Sequence, residues 1–232
     1  MIKIENLKKQ FGETIACNIP SFTVNDGDVL GLVGNNGAGK TTLFRMILDL
    51  LKPEEGSIEI DNINPATNEE WKDTTGAYID EGFLIDFLTP EEYFAFIGKI
   101  SNTSDDELTE RLKDFEKFAG GEIFGQNKLI RNLSAGNKQK VGIISALLRN
   151  PKLVVLDEPF NFLDPTSQIT LKHLIKDYHD KTGATIIISS HNLLHTIEIS
   201  TRIVLLEKGN IIRDLPNSSE SAKEELNAYF DN

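Results

Sequence analysis

The sequence predicts an α/β fold whose core is a parallel β-sheet covered by helices. Three short, uniformly apolar runs have the composition of buried parallel strands: Leu153 to Leu156, Thr185 to Ser189 and Ile203 to Leu206. The helical stretch Thr166 to Asp180 separates the first two runs. A glycine-rich loop also links the apolar strand Val29 to Val33 to a helical pattern. Buried strands that alternate with crossover helices are typical of α/β proteins.

The first third of the chain is rich in β patterns. Besides Val29 to Val33, strands are predicted at Ile2 to Leu7, Thr14 to Val24 and Ser57 to Ile60. After the glycine-rich loop, Lys40 to Leu51 carries apolar residues at helical spacing. This part of the chain therefore contains a strand, loop and helix unit.

The middle of the chain, from about Phe83 to Leu148, is predicted to be mostly helical. One helix spans Pro90 to Ile100 behind a Thr89 cap. A second helix, Asp105 to Ala119, places four apolar residues on one face, namely Leu108, Leu112, Phe115 and Phe118. We interpret this region as a helical insertion. The tail is polar, with a short helix predicted at Ser221 to Phe230.

Composition limits the possible functions. The 232 residues contain no internal repeat and no low-complexity linker, so we expect a single domain. The 36 acidic residues outnumber the 24 basic ones, and the net charge of −12 disfavours binding to nucleic acid or anionic lipid. Cys17 has no cysteine partner, and no apolar run is long enough to cross a bilayer. We therefore expect a cytosolic protein with no direct membrane insertion, which reaches a membrane only through a partner.

Gly34 to Thr42, GNNGAGKTT, matches the phosphate-binding pattern G-x-x-x-x-G-K-[ST] between a strand and a helix. The glycines let backbone N–H groups turn inward, and the helix that starts near Lys40 adds its positive dipole end. Lys40 supplies a charge for the β and γ phosphates, and the Thr41 hydroxyl is placed to bind Mg²⁺. The pattern indicates a nucleoside triphosphate with Mg²⁺, against the alternative of an ordinary glycine-rich turn.

An acidic pair ends the buried strand Leu153 to Leu156. Asp157 is predicted to hold Mg²⁺, and Glu158 is predicted to polarise an attacking water as a general base. His191 ends the strand Thr185 to Ser190 in the same manner, where it would sense the γ phosphate. The alternatives are a solvated strand end for the carboxylates and a structural helix cap for the histidine.

Leu133 to Lys140, LSAGNKQK, places Ser134 and Gly136 just before the apolar helix Val141 to Leu148. This arrangement predicts a second helix start that binds an anion. An ordinary helix capped by Ser134, with a glycine in the turn, remains the alternative.

These segments, in this order, resemble the ATP-binding cassette (ABC) ATPases over nearly the whole chain. GNNGAGKTT resembles the Walker A motif of the family, LVVLDEP its Walker B motif, LSAGN its signature loop, and His191 its switch histidine. Phe160 to Asp164, FNFLD, resembles the D-loop with its acidic Asp164. Phe11 takes the place of the aromatic residue that stacks on adenine, although packing within an amino-terminal hairpin would also explain it.

The resemblance implies a P-loop NTPase fold with a RecA-like mixed sheet, an amino-terminal antiparallel β subdomain and an inserted α-helical subdomain. We expect one ABC domain over residues 1–232, with a core at 1–82 and 149–232 and the helical subdomain at about 83–148. The implied catalytic residues are Lys40, Glu158 and His191, and the implied magnesium ligands are Thr41, Asp157 and Glu81. The implied ATP-binding residues are Phe11, Gly34, Asn35, Asn36, Gly37, Ala38, Gly39, Lys40, Thr41, Thr42, Ser134, Gly136 and Asn137.

Three positions depart from the family pattern. The signature is usually LSGGQ, whereas this chain has Ala135 and Asn137 at two of those positions. Glu81 stands where many members have a Gln, a substitution that some exporter subfamilies share. Asn35 replaces the more common Pro or Ser of Walker A, and we expect little consequence.

In this family two cassettes face each other, and each ATP lies between the Walker A motif of one subunit and the signature loop of the other. The resemblance therefore implies a second cassette subunit, with a homodimer expected, and a separate transmembrane permease at the inner face of the cell membrane. An apolar run that is either a docking surface for the permease or part of the core comprises Phe83, Leu84, Ile85, Phe87 and Leu88. The segment FLTPEEYF and the signature variant are similar to those of bacterial exporters of drugs, lipids or antimicrobial peptides, which favours export.

Three other functions fit the sequence less well. A soluble ABC ATPase that acts on ribosomes or DNA would usually carry two cassettes and basic surface, whereas this chain has one cassette and is acidic. A kinase or GTPase would share the phosphate loop, but no N-K-x-D motif is present and LSAGN would be unexplained. A catalytically idle regulatory cassette is disfavoured by the intact Lys40, Asp157, Glu158 and His191.

Overall fold

Nine strands form two sheets in the structure, a computed structural model that describes residues 1–191 and 193–217. The strands are β1 Ile2–Phe11, β2 Thr14–Val24, β3 Val29–Val33, β4 Glu55–Ile60, β5 Thr75–Tyr78, β6 Leu153–Leu156, β7 Thr185–Ser190, β8 Arg202–Glu207 and β9 Asn210–Pro216. The first sheet is antiparallel with the order β2-β1-β4. The second has the order β5-β6-β7-β3-β8-β9, and its strands are parallel except for β9.

The parallel register brings four strand ends to one edge of the second sheet. Val33 lies opposite Ser190, and Leu156 lies opposite Ile188. Tyr78 at the end of β5 lies opposite Leu156. The loops that follow β3, β5, β6 and β7 therefore leave the sheet side by side, which is where ligands bind in open α/β sheets.

The helices connect these strands over the described residues. Their bounds are α1 Lys40–Ile47, α2 Trp71–Thr74, α3 Pro90–Ile100, α4 Asp105–Lys113, α5 Glu116–Ala119, α6 Ala135–Leu147, α7 Pro165–Thr182 and α8 Leu193–Ile199. Thr89 caps α3 through a capping box with Glu92. The helix predicted at Ser221 to Phe230 lies outside the described residues.

Three predicted helix boundaries were wrong. The helix predicted at Lys40 to Leu51 ends at Ile47, because Asp49 adopts a left-handed φ of 52° that a helix cannot continue through. The helix predicted at Asp105 to Ala119 is two helices, separated by a tight turn in which the Phe115 N–H donates to Leu112. The helix predicted to begin near Val141 begins at Ala135, so Gly136 and Asn137 lie in its first turn.

Among the described residues, the two larger of three apolar clusters hold most of the helices against the sheets. Between the two sheets lies α1, whose buried Leu43, Phe44 and Ile47 pack with residues of both sheets. On the other face of the second sheet, α6 buries most of its length against β5 and β6. Burial on both sides explains why β3 and β6 carry no polar side chain at any position.

The predicted α/β class is confirmed, with a mixed sheet, an amino-terminal antiparallel sheet and a run of helices between β5 and β6. The subdomain boundaries near residues 83 and 148 stay predictions. Among the described residues, no helix combines the length and apolar character needed to cross a membrane.

Candidate nucleotide-binding site

The glycine-rich loop after β3 forms one wall of the site. Helix α1 begins at Lys40 behind Gly39, which has a φ of 108°. A Cβ atom at Gly39 would lie 2.2 Å from the Ala16 carbonyl oxygen, so only glycine fits between the loop and β2. The loop lines a cavity of about 220 Å³ together with Thr14, Ala16 and Glu158. Backbone N–H groups and the start of α1 therefore meet in a space suited to a phosphate chain.

Lys40 is buried at the floor of this loop, with 6% of its surface exposed. Its Nζ atom donates to the Gly34 carbonyl at 2.6 Å and lies 3.3 Å from Glu158 Oε1. The lysine from the loop after β3 thus forms an ion pair with the carboxylate that follows β6. An incoming phosphate oxygen and the Glu158 carboxylate would both be partners for the same ammonium group.

Thr41 and Asp157 meet on the wall of a neighbouring cavity of about 440 Å³. The Thr41 hydroxyl donates to Asp157 Oδ2 at 2.5 Å, and the Ser189 hydroxyl donates to Asp157 Oδ1. Burial raises the pKa of Asp157, although the bonds from Ser189 and Thr41 oppose the shift. A hydroxyl and a desolvated carboxylate beside a phosphate loop are the oxygen donors that Mg²⁺ takes in proteins, so this pair fits the ion.

Each polar group of Glu158, in the backbone and in the side chain, has a partner. Its N–H donates to Ser189 Oγ at 2.8 Å, and its backbone has a left-handed φ of 46°. Its Oε2 atom lies 2.8 Å from His191 Nδ1 and 3.2 Å from the His191 backbone N–H. The structure therefore brings together Lys40, Glu158 and His191, the three residues predicted to be catalytic, on three different strand ends.

Glu81 lies on the same cavity as Thr41 and Asp157 but has a different partner. Its Oε2 atom forms an ion pair with Lys138 Nζ of α6 at 3.0 Å. Its predicted role as a magnesium ligand stays a prediction.

The signature segment forms the first turn of α6. The Ser134 side chain accepts from the Asn137 N–H at 3.2 Å and so caps the helix. A Cβ atom at Gly136 would lie 2.6 Å from the Phe162 carbonyl oxygen, which gives this glycine a steric role within its own chain. Neither Ser134 nor Asn137 lines the phosphate-loop cavity.

Phe11 lies at the end of the β1–β2 hairpin, paired with Thr14. Its ring is 53% exposed, and Lys9 Nζ lies 5.5 Å from the ring centre. Since Thr14 and Ala16 of the same hairpin line the phosphate-loop cavity, an exposed aromatic ring stands near that cavity. Its contact with adenine stays a prediction.

Two residues of the site had not been predicted. Ser189 joins Asp157 to Glu158, and Gln139 of α6 donates to the Glu158 carbonyl at 3.1 Å. Polar residues at the end of an apolar strand, and a Gln on a buried helix face, are the signals that would have pointed to them. Asp164, the acidic residue of the predicted D-loop, caps α7 by accepting from the backbone N–H groups of residues 166 and 167.

Comparisons with known proteins place the chain in a family. A family model described as ABC transporter matches residues 17–161, which is more than half of the chain. The chain is 31% identical to the probable sulfate/thiosulfate import ATP-binding protein CysA of Chlorella vulgaris, covering 100% of this chain and 97% of that one. It is also 31% identical to the bacitracin transport ATP-binding protein BcrA of Enterococcus faecalis, covering 96% of this chain and 71% of that one.

A solved structure has the same fold. It is a dimeric ATP-binding cassette in a post-hydrolysis state, bound to ADP and Pi, with a TM-score of 0.82 and 26% identity to this chain. The similarity covers 94% of this chain and 100% of the other. The chain therefore belongs to the ABC transporter family and is an ATP-binding cassette with ATPase activity.

Proposed function

We propose that this chain binds Mg²⁺-ATP between the loops after β3, β6 and β7, and that two copies hydrolyse it to drive export through a separate permease. The observation that carries the proposal is the meeting of Lys40 with Glu158 and of Thr41 with Asp157 beside the phosphate loop. Four residues from two strand ends thus supply a cation that binds phosphate, two oxygen donors for Mg²⁺ and a carboxylate base.

The chemistry follows from these contacts. Backbone N–H groups of the phosphate loop and the Lys40 ammonium bind the phosphate chain, while Thr41 and Asp157 would hold Mg²⁺. Bound Mg²⁺ would neutralise part of the phosphate charge. Once phosphate oxygens replace Glu158 as the partner of the Lys40 ammonium group, the Oε1 atom of Glu158 can accept a proton from water. That water attacks the γ-phosphorus, the bond to the bridging oxygen breaks, and ADP leaves with inorganic phosphate.

His191 orients the base in this proposal. Its ring nitrogen and its backbone N–H both contact the Oε2 atom of Glu158, so they leave Oε1 as the oxygen directed at the phosphate loop. A carboxylate held by two donors loses little rotational freedom when the substrate binds.

A second copy of the chain completes the site in our proposal. The phosphate-loop cavity is lined by residues of the loop, β2 and Glu158, and it receives nothing from Ser134 or Asn137. The similar solved cassette is a dimer. The signature turns of two facing copies would each close over the ATP of the other, which is the expected homodimer.

The permease would dock at the apolar run after Glu81. Leu84 is buried, but Phe83 and Phe87 are exposed, the latter by 64% of its surface. Two exposed phenylalanines that follow Glu81, a residue lining the larger cavity, are a candidate contact for a helix of another protein. Docking there would place the chain at the cytoplasmic face of the membrane. The segment FLTPEEYF and the signature variant with Ala135 and Asn137 favour export in this proposal.

The proposed chemistry is tested by Glu158→Gln in the full chain. The variant keeps the side-chain volume but cannot take a proton, so we expect ATP turnover to fall by about 10²- to 10⁴-fold. Size-exclusion chromatography with Mg²⁺-ATP should show a dimer that persists longer than the wild-type dimer. Glu110→Gln, on the exposed face of α4, is the control and should keep normal turnover. Normal ATPase activity in Glu158→Gln would refute the assignment.

The proposed partner is tested by purification from a detergent extract of membranes. The wild-type chain should bring down a polytopic membrane protein, and Phe87→Ser should lose it while its ATPase activity in isolation is kept. Recovery of the same membrane protein in equal amounts with Phe87→Ser would exclude this surface as the docking site.

A further inference from the structure

We propose that Gln139 of α6 is a positioning residue that fixes the backbone of Glu158 and thereby ties the catalytic carboxylate to the helix that carries the signature turn. The proposal rests on the assignment of Glu158 as the base. Gln139 is a buried polar side chain, with 5% of its surface exposed, on a helix that is otherwise mostly apolar where it meets the sheet.

Both ends of the Gln139 amide are bonded. Its Nε2 atom donates to the Glu158 carbonyl oxygen at 3.1 Å, and its Oε1 atom accepts from the Tyr78 hydroxyl at 3.1 Å. The amide therefore bridges the ends of β6 and β5, two strands whose loops line the larger cavity. A buried amide with both ends satisfied is directional, since it can hold its partners in only one orientation.

The backbone of Glu158 needs such support. A left-handed φ of 46° is unfavourable for a residue with a Cβ atom and persists only when surrounding contacts enforce it. Three hydrogen bonds do so. The Glu158 N–H donates to the Ser189 hydroxyl oxygen. The Glu158 carbonyl oxygen accepts from the Asn161 N–H at 3.1 Å and from the Gln139 side chain. Of these, only the bond from Gln139 comes from outside the parallel strands and the loop itself.

One face of α6 makes two further contacts with the same strand ends. A Cβ atom at Gly142 would lie 2.0 Å from the Tyr78 ring, so the ring packs directly against the helix backbone. The close approach of Gly136 to the Phe162 carbonyl lies at the other end of this face. Residues 136, 139 and 142 recur at intervals of three, so one helical face contacts the Tyr78 ring and both ends of loop 158–162.

The consequence is a mechanical link between two sites. The start of α6 carries Ser134 and Gly136, which the proposed function assigns to the ATP of the facing copy. A shift of α6 that follows closure over that ATP would move Gln139 and hence the Glu158 backbone of its own site. The position of the Glu158 carboxylate therefore depends on the ATP that the signature turn of the same chain contacts on the facing copy.

Three variants of the full chain separate the two bonds of Gln139. Gln139→Glu keeps an acceptor for Tyr78 but loses the donor to Glu158. Tyr78→Phe loses the hydroxyl but keeps the donor. Gln139→Met keeps a similar volume and loses both bonds, and it provides a second test where the added charge of Gln139→Glu prevents folding.

Two measurements are made on each variant. Steady-state kinetics gives kcat and the KM for ATP, and hydrogen exchange of the nucleotide-free chain reports the amides of residues 158–164. We expect kcat to fall about 10- to 100-fold in both Gln139 variants with KM within about threefold, since outer contacts of a reacting group act on its orientation. Exchange of the loop amides should rise about fivefold or more. Tyr78→Phe should stay within about threefold of wild type in kcat and in loop exchange.

The exchange data do not depend on catalysis, so the two proposals fail in different ways. Wild-type kcat in Gln139→Met would overturn the positioning role, as would unchanged loop exchange. Equal losses in Tyr78→Phe and Gln139→Met would overturn it too, because the bond to Glu158, which Tyr78→Phe keeps, would then have no effect of its own. Retained turnover in Glu158→Gln would instead remove the base assignment, whatever the exchange data show.

Discussion

The ion pair between Lys40 and Glu158 predicts that Glu158→Gln binds Mg²⁺-ADP more tightly than the wild-type chain. Lys40 Nζ lies 3.3 Å from Glu158 Oε1, and both side chains are largely shielded from water. The β-phosphate must take the ammonium group from this carboxylate when it binds. The glutamine side chain of the variant would offer Lys40 a neutral amide oxygen in place of the charge, and the phosphate would then displace a weaker partner.

The size of the effect follows from the degree of burial. Exposed ion pairs contribute about 0.2–1 kcal/mol, whereas close, desolvated pairs have coupling energies from about 1.5 kcal/mol upward. A pair with one buried and one half-buried member lies between these classes, at about 1–2 kcal/mol. The dissociation constant for Mg²⁺-ADP should therefore fall about 5- to 30-fold.

Isothermal titration calorimetry with Mg²⁺-ADP measures this constant without turnover and without an ATP-bound dimer. Glu110→Gln is the control, because it removes one negative charge from an exposed carboxylate of α4 that pairs with Lys113 and has no assigned role in the site. Its affinity should change less than about threefold, since long-range attraction is screened. Affinity in Glu158→Gln that is equal to or weaker than wild type would refute the competition between phosphate and carboxylate for Lys40.

Three further predictions concern the segments around the site. Gly136→Ala places a Cβ atom 2.6 Å from the Phe162 carbonyl oxygen, so calorimetry should show a loss of about 1–3 kcal/mol in unfolding free energy; an unchanged melting temperature would contradict this packing. Phe162 is 73% exposed with a φ of 62°, so Phe162→Gly should relieve strain of about 1–2 kcal/mol, partly offset by glycine entropy of about 0.5–1 kcal/mol. Its melting temperature should exceed that of the Phe162→Ala control by about 2–4 °C, and equal values would show that the backbone carries no strain. The Ser167 hydroxyl and the N–H groups at the start of α7 lower the pKa of Asp164, so its stabilising contribution is complete above the unfolded pKa of about 3.9 and is lost as pH falls through the lowered folded value. The stability difference between wild type and Asp164→Asn should therefore be constant from about pH 7 to 5 and shrink below about pH 4, as measured by urea unfolding, whereas a difference independent of pH would exclude a charged cap.

Strands β3, β6, β7 and β8 of the parallel sheet were predicted almost to the residue, because their central residues are buried on both faces and apolar. Strands β5 and β9 were missed, as Thr75–Tyr78 contains one large apolar residue and Asn210–Pro216 lies at the sheet edge with a mixed pattern. The helix predicted at Asp105 to Ala119 was too long because its apolar spacing continues across a turn, and spacing alone does not report backbone breaks.

The candidate residues of the site were recognised in the sequence because their chemistry requires particular residue types. A phosphate loop needs glycines and a lysine at fixed spacing, and a strand end that serves Mg²⁺ and water needs carboxylates. These requirements are local, so Lys40, Thr41, Asp157 and Glu158 stand out without any knowledge of the fold.

By itself, the sequence determined the fold class, the family resemblance and the candidate residues of the site, since periodicity and motif spacing are properties of short segments. Only the tertiary structure decided which groups meet. The pairing of Lys40 with Glu158, the hold of His191 on the same carboxylate and the bridge from Gln139 all join residues far apart in the chain. Parallel strand register and the packing of α6 set these contacts, and both depend on how buried surfaces fit together across the whole molecule.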